Sequence, residues 1–227
     1  MKIGIVWLGF VGLTFASVLA NKGYNVIGVD TDKIKIKNIK SGKSPFYEPQ
    51  LDNILKNALT KKLILSENIE EIVNECDFIF LTLGTPIDKN GNINLKIILK
   101  VSKKIGELLL KLKKKPIIVI KSTVVPGTTS NKIKKILEKK SNKKVGKGFG
   151  LITNPEFLRE GKAVHDTLNP HLIVIGSNEK QDSKKLEKFY KEIHNEKISI
   201  ILTNNTTAEI IKYANNSFLA TKISFIN

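Results

Sequence analysis

The 227-residue chain is 41% hydrophobic and 26% charged, enough apolar material for one sizeable core or a core plus the start of a second domain. Its formal charge of +17 raises nucleic-acid binding, yet the sequence holds a single arginine, Arg159, and no basic stripe interleaved with aromatics, so lysine on solvated faces and attraction of anionic ligands account for the charge and no specific nucleic-acid partner is expected. No apolar run reaches the ~18 residues of a membrane span and Met1 leads straight into a strand, so a cytoplasmic protein is expected; the lone Cys76 excludes an internal disulfide, and the scattered His165, His171 and His194 lack metal-ligand spacing.

Lys2–Val6 reads as a buried strand and residues 11–22 as a helix with apolar residues at helical spacing. The turn between them, "WLGFVG", stands where a dinucleotide-binding fold places G-x-G-x-x-G, with Gly9 and Gly12 present and Trp7 in place of the first glycine. Gly9 lets the backbone approach a pyrophosphate, Gly12 lets the helix pack close to the strand, and the helix N-terminus offers free N–H groups to phosphates. The next strand, Asn25–Val29, ends in Asp30, about 20 residues beyond the turn, where a carboxylate would meet a ribose hydroxyl. Trp7 breaks only the tight turn: an indole there either forces the chain outward or lies in the space of the dinucleotide, and weaker dinucleotide binding is expected.

Further strands read at 63–65, 78–83, 116–121, Gly150–Thr153, 172–175 and 199–202, with amphipathic stretches at 95–112, 129–139 and 183–193. This alternation predicts an α/β fold with a doubly wound, mostly parallel sheet. Strand one ends in the glycine turn, strand two in Asp30, the fourth in "GTP" (Gly84 to Pro86), the fifth in "STVVPGT" and the sixth in "NPEFLREG". All five loops fall at carboxyl ends, the edge at which open α/β sheets bind ligands. Ordinary turn chemistry explains Pro126, Gly127 and Pro155, but not Thr85, Thr123, Glu156 and Glu160 together.

At "KSTVVPGTT" and "NPEFLREGKAVHD" the sequence resembles the UDP-glucose/GDP-mannose dehydrogenase family, NAD-dependent enzymes that oxidise C6 of a nucleotide sugar to a carboxylate. The stretches "FVGLTFASVLANKGYNVIGVD", "SGKSPFYEP", "LTLGTP" and "AEIIKYANNSFLATKISFIN" resemble further motifs of that family's N-terminal half, in order, and "EFLREG" is nearer its UDP-glucose branch. The resemblance implies that Gly9, Val11, Gly12, Gly84, Thr85 and Thr123 line the NAD cleft, that Asp30 and Lys35 hold the adenosine ribose, and that Glu160 lies near the nicotinamide. It places Glu156, Phe157 and Leu158 at the sugar, with Glu156 or a water it holds as a proton-transfer group, and makes Thr123 part of the catalytic set. Helix-start charge is the competing reading of the two glutamates.

For the last helix, Thr206 and Glu209 have the spacing of a capping box, and Lys212 and Asn216 then fall four apart on one face. They form either a solvated stripe or, as the resemblance implies, the pair that meets substrate oxygens, Lys212 stabilising charge on O6. The expected division is a Rossmann-type NAD domain over 1–203 and the start of an inter-domain helix over 204–227, through which a homodimer is expected. The family's second oxidation uses a cysteine thiolate beyond this helix; Cys76, at the amino edge of the sheet, reads as packing instead, so the chain is expected to be incomplete and inactive alone. At "NPHLIVIG", His171 and Leu172 replace the acid and arginine usual in the family. An NAD-binding module without catalysis, a dehydrogenase for GDP-mannose or another nucleotide sugar, and a basic interaction domain are the alternatives.

Overall fold

A computed structural model describes residues 1–195 and 197–227. Six strands and the helices between them form a doubly wound unit: β1 (Lys2–Val6), α1 (Phe10–Asn21), β2 (Asn25–Val29), α2 (Lys33–Lys40), α3 (Leu51–Lys61), β3 (Leu63–Ser66), α4 (Ile69–Glu75), β4 (Phe78–Leu81), α5 (Lys96–Leu109), β5 (Ile117–Ile120), a π-helical turn (Thr129–Ile133), α6 (Lys134–Ser141) and β6 (Gly150–Thr153). There follow α7 (Ala163–Leu168), β7 (Ile173–Gly176), α8 (Lys180–Ile193), β8 (Ile200–Thr203) and α9 (Asn205–Ile226). The strand order is β3-β2-β1-β4-β5-β6-β7-β8, parallel throughout except where β6 meets β7. Strand order reverses direction between β1 and β4, and the carboxyl ends there form the crevice of a Rossmann-type sheet. The expected α/β class and doubly wound sheet are therefore present.

The sheet is covered on both faces, which is why its strands are near-continuous apolar runs. In β4 the period-2 geometry sends Phe78 and Phe80 to one face and Ile79 and Leu81 to the other, into two separate core clusters. Aromatic contacts fix the first core: Phe15 meets Phe80 edge-on at 5.0 Å between centroids, Tyr24 meets Phe189 edge-on at 5.5 Å, and Phe78 stacks on Phe189 at 5.4 Å. The second seats Ile98, Ile105 and Leu137 from α5 and α6, where the hydrophobic spacing of residues 95–112 and 129–139 had placed helices.

Cys76, which caps α4 just before β4, is fully buried within this second cluster, and burial pushes its thiol up to about 12. It lies at the amino edge of the sheet, as the sequence order implies.

The capping box is absent. Asn204 caps α9 by accepting from the Thr207 N–H at 2.8 Å, which starts the helix before Thr206 can act as its cap. Glu209, freed from that task, is 2% exposed and accepts from the backbone of Gly127 at 2.5 Å and Thr129 at 2.9 Å. It thereby ties α9 to the loop after β5.

Candidate active site

The loop after β1 keeps its tight turn. Trp7 adopts φ 84°, the left-handed region that glycine enters freely and tryptophan does not. Its N–H donates to Val29 O at 2.7 Å and its carbonyl accepts from Thr82 Oγ1 at 2.7 Å, so the backbone is held from both neighbouring strands. A Cβ at Gly12 would stand 1.9 Å from that carbonyl, which is why the helix can approach only with glycine there. Gly9 caps α1 without a side chain, and the first turn carries no acid, so its N–H groups are available to a phosphate.

At the end of β2, Asp30 is 3% exposed. Its Oδ2 accepts from Leu8 N at 3.0 Å and Lys35 Nζ at 2.7 Å, and its Oδ1 from Asp32 N at 3.0 Å. A carboxylate offers about four acceptor positions, so one remains for a hydroxyl, while Lys35 adds a donor at the same place.

One crevice is lined by Trp7, Gly9, Val11, Gly84, Thr85, Lys121, Thr123 and Glu156, joining the loops after β1, β4, β5 and β6. Thr85 Oγ1 donates to Thr123 O at 2.7 Å, locking two of these loops together. Glu156 Oε2 accepts from Leu158 N at 2.5 Å, and its Oε1 pairs with Lys212 Nζ at 3.1 Å. Lys212 is 6% exposed, and its ammonium also lies 5.2 Å from the Phe157 ring. A helix from beyond the sheet thus delivers a cation to a carboxylate on the crevice wall. Phe157 and Leu158 line a neighbouring cavity that Glu156 also borders, where Phe157 meets His171 at 6.1 Å between ring centroids.

Two candidates are placed otherwise. Glu160 is exposed and does not line the crevice, because the chain turns outward at Gly161, where φ is 76°. Asn216 is exposed, one turn beyond Lys212 and past the point where α9 leaves the sheet.

The loop between β6 and α7 is strapped from two sides. Glu48, in the "SPFYEP" segment, is 5% exposed and accepts from Gly161 N at 3.0 Å and Val164 N at 3.4 Å. Asp166 receives Arg159 through Nε at 2.9 Å and through its second nitrogen at 2.6 Å, and this pairing holds its carboxyl down to about 2.

Sequence reasoning missed Lys121. It is buried at the end of β5, with Nζ 3.1 Å from Asn154 Oδ1, 3.4 Å from Tyr190 OH and 5.0 Å from the Phe15 ring centroid. Burial pushes its ammonium down to about 8, and it lines both the crevice and the adjoining cavity. The available signal was a lysine directly after the apolar run "IIVI", at a carboxyl end.

Residues 1–194 match the family model described as "UDP-glucose/GDP-mannose dehydrogenase family, NAD binding domain". The chain is 40% identical over 227 residues to the UDP-glucose 6-dehydrogenase TuaD of Bacillus subtilis, covering 100% of itself and 47% of that protein. Among solved structures, a ternary complex of GDP-mannose dehydrogenase from Pseudomonas aeruginosa superposes with a TM-score of 0.95 at 39% identity, over 99% of this chain and 51% of the other. UDP-glucose dehydrogenase from Pyrobaculum islandicum gives a TM-score of 0.92 at 32% identity, over 100% and 51%. The chain spans between a quarter and about half the length of the curated relatives it matches.

Proposed function

The chain belongs to the UDP-glucose/GDP-mannose dehydrogenase family and carries its NAD-binding domain, and from that premise we propose that it is the NAD-binding half of a nucleotide-sugar 6-dehydrogenase, with UDP-glucose, oxidised to UDP-glucuronate, as the favoured substrate. The observation that carries this reading is the Glu156–Lys212 pair at 3.1 Å, whose carboxylate lines the glycine-turn crevice. A carboxylate and an ammonium held together at the edge of a cofactor cleft are suited to moving a proton from a sugar hydroxyl and stabilising the charge left on its oxygen. NAD supplies the hydride acceptor.

In this reading the N–H groups after Gly9, with Val11 and Gly12, take the pyrophosphate, and Asp30 and Lys35 take the adenosine ribose. Gly84, Thr85 and Thr123 flank the nicotinamide half, and Glu160, on the exposed loop outside the crevice lining, is assigned to the nicotinamide side. Glu156, alone or through a water, holds the proton, and Lys212 steadies the developing charge on O6. Phe157 and Leu158 border the sugar, Asn216 reaches a substrate oxygen, and Thr123 completes the catalytic set. Residues 1–203 form the cofactor domain, and the helix of 204–227 is the start of an inter-domain and dimerisation element. The "EFLREG" stretch favours UDP-glucose; the TM-score of 0.95 to a GDP-mannose dehydrogenase keeps GDP-mannose as the second reading.

Cys76 cannot serve the second oxidation, since its thiol is buried at the opposite edge of the sheet and held protonated. The test follows NADH absorbance with UDP-glucose and with GDP-mannose, alongside NAD binding by calorimetry. NAD binding without sustained release of two NADH per sugar is expected. Sustained release would place the entire chemistry within these residues, and absence of NAD binding would remove the reading.

A further inference from the structure

The turn after β1 presents an arrangement that neither the fold nor the proposed chemistry requires. Trp7 is pinned in the left-handed region by Val29 O, Thr82 Oγ1 and the close approach of Gly12, so its side chain has not displaced the turn and is instead directed to one place. The indole folds back over Gly9: a Cβ built at Gly9 would stand 2.8 Å from Nε1 and 3.0 Å from Cδ1. The ring also lies 4.9 Å from Lys35 Nζ, which is itself paired to Asp30 at 2.7 Å. The ring therefore bridges the open N-terminus of α1 and the Asp30–Lys35 pair. These are the two places that an adenosine diphosphate group must reach at once, one for its phosphates and one for its ribose. Among the described residues nothing accepts a hydrogen bond from the indole N–H, and the ring is half-buried on the crevice wall. It is held by packing and by the Lys35 cation, with no hydrogen bond to lock it.

We propose that Trp7 is a displaceable cover over the adenosine half of the crevice: a ligand carrying an adenosine diphosphate group binds only after the indole swings off Gly9, whereas a ligand limited to the nicotinamide half leaves it in place. This rests on the NAD-binding reading. When only a fraction of molecules has the cover open, the apparent dissociation constant exceeds the intrinsic one by the inverse of that fraction. The cover therefore weakens NAD binding while leaving the turn, the helix N-terminus and Asp30 intact.

Trp7 is the only tryptophan of the chain, so its emission reports the ring directly. The experiment titrates NAD, ADP-ribose and nicotinamide mononucleotide into the chain by tryptophan fluorescence, and measures NAD and ADP-ribose binding calorimetrically in the native chain, Trp7→Gly and Trp7→Asn. Gly and Asn both tolerate positive φ, so each variant keeps the turn. NAD and ADP-ribose should drive the emission to the same end point and nicotinamide mononucleotide should leave it unchanged, while both variants bind NAD and ADP-ribose at least about tenfold more tightly than the native chain. Binding detected by heat without a change in emission, or variants that bind equally or more weakly, would overturn the cover alone. Absence of NAD and ADP-ribose binding in all three proteins would overturn the cofactor reading together with it.

Discussion

Asp166 shows how a single carboxylate can set the shape of a site it does not enter. It receives the Arg159 side chain twice and the Arg159 backbone N–H at 3.1 Å, closing the loop that carries Glu156 to Glu160 onto α7. These bonds lower its pKa from 3.8 to about 2, so the unfolded chain takes up the proton first as pH falls. Its stabilising contribution is thus complete above about pH 4 and is lost as pH falls towards 2. Asp166→Asn should cost about 1 to 2 kcal/mol at neutral pH, the lower part of the range for charged hydrogen bonds because Arg159 is exposed. Urea unfolding of both proteins from pH 7 to pH 2 checks this: the difference should shrink as the pH falls, and a constant difference would contradict it. Asp166 was not legible as a strap, because an acid seven residues after its arginine implies no contact until α7 turns the chain back. Asp30 was legible, since its distance from the glycine turn fixes its place at the end of β2. The dual use of that carboxylate, bonded to Leu8, Asp32 and Lys35, was not, because those bonds depend on backbone direction.

At the scale of elements, strands were read well because both faces of the sheet are covered and each strand is a short apolar run. In α2 lysine alternates with isoleucine over most of KIKIKNIK, a pattern that masks the helical period, and only Ile36 and Ile39 are buried; α3 places Leu51, Ile54, Leu55, Ala58 and Leu59 at helical spacing, so its period was present in the sequence. Helix α9 has a different asymmetry. Its first turns are anchored by Asn205, Ala208, Glu209 and Lys212, whereas Phe218, Leu219, Ile223, Phe225 and Ile226 are all exposed, Phe225 at 90%. Ile211, nearer the anchored end, is half-buried. Exposed apolar side chains clustered in the last turns, interrupted by Lys222, promote association. Sedimentation should show a concentration-dependent dimer or larger species, and Phe218→Ser with Phe225→Ser should shift the chain towards monomer. A monomer at every concentration in the unmodified chain would contradict the dimerisation role.

At the scale of the whole molecule, topology gathers what the sequence disperses. Gly9, Thr85, Thr123 and Glu156 are spread over nearly 150 positions, yet the order β2-β1-β4-β5-β6 brings their loops to one edge. That convergence was legible because every loop follows a readable strand. Lys212 reaches Glu156 by another route, from a helix that packs against β7 and is tied down by Glu209, and no spacing rule in the sequence implied this pairing. Hydrogen exchange of the chain with and without NAD tests most directly the claim that these loops form the cofactor site. Protection should rise at residues 8–13, 84–86 and 121–124 and remain unchanged on the lysine-rich face of α5 and α6; protection confined to that face, or none at saturating NAD, would contradict the account.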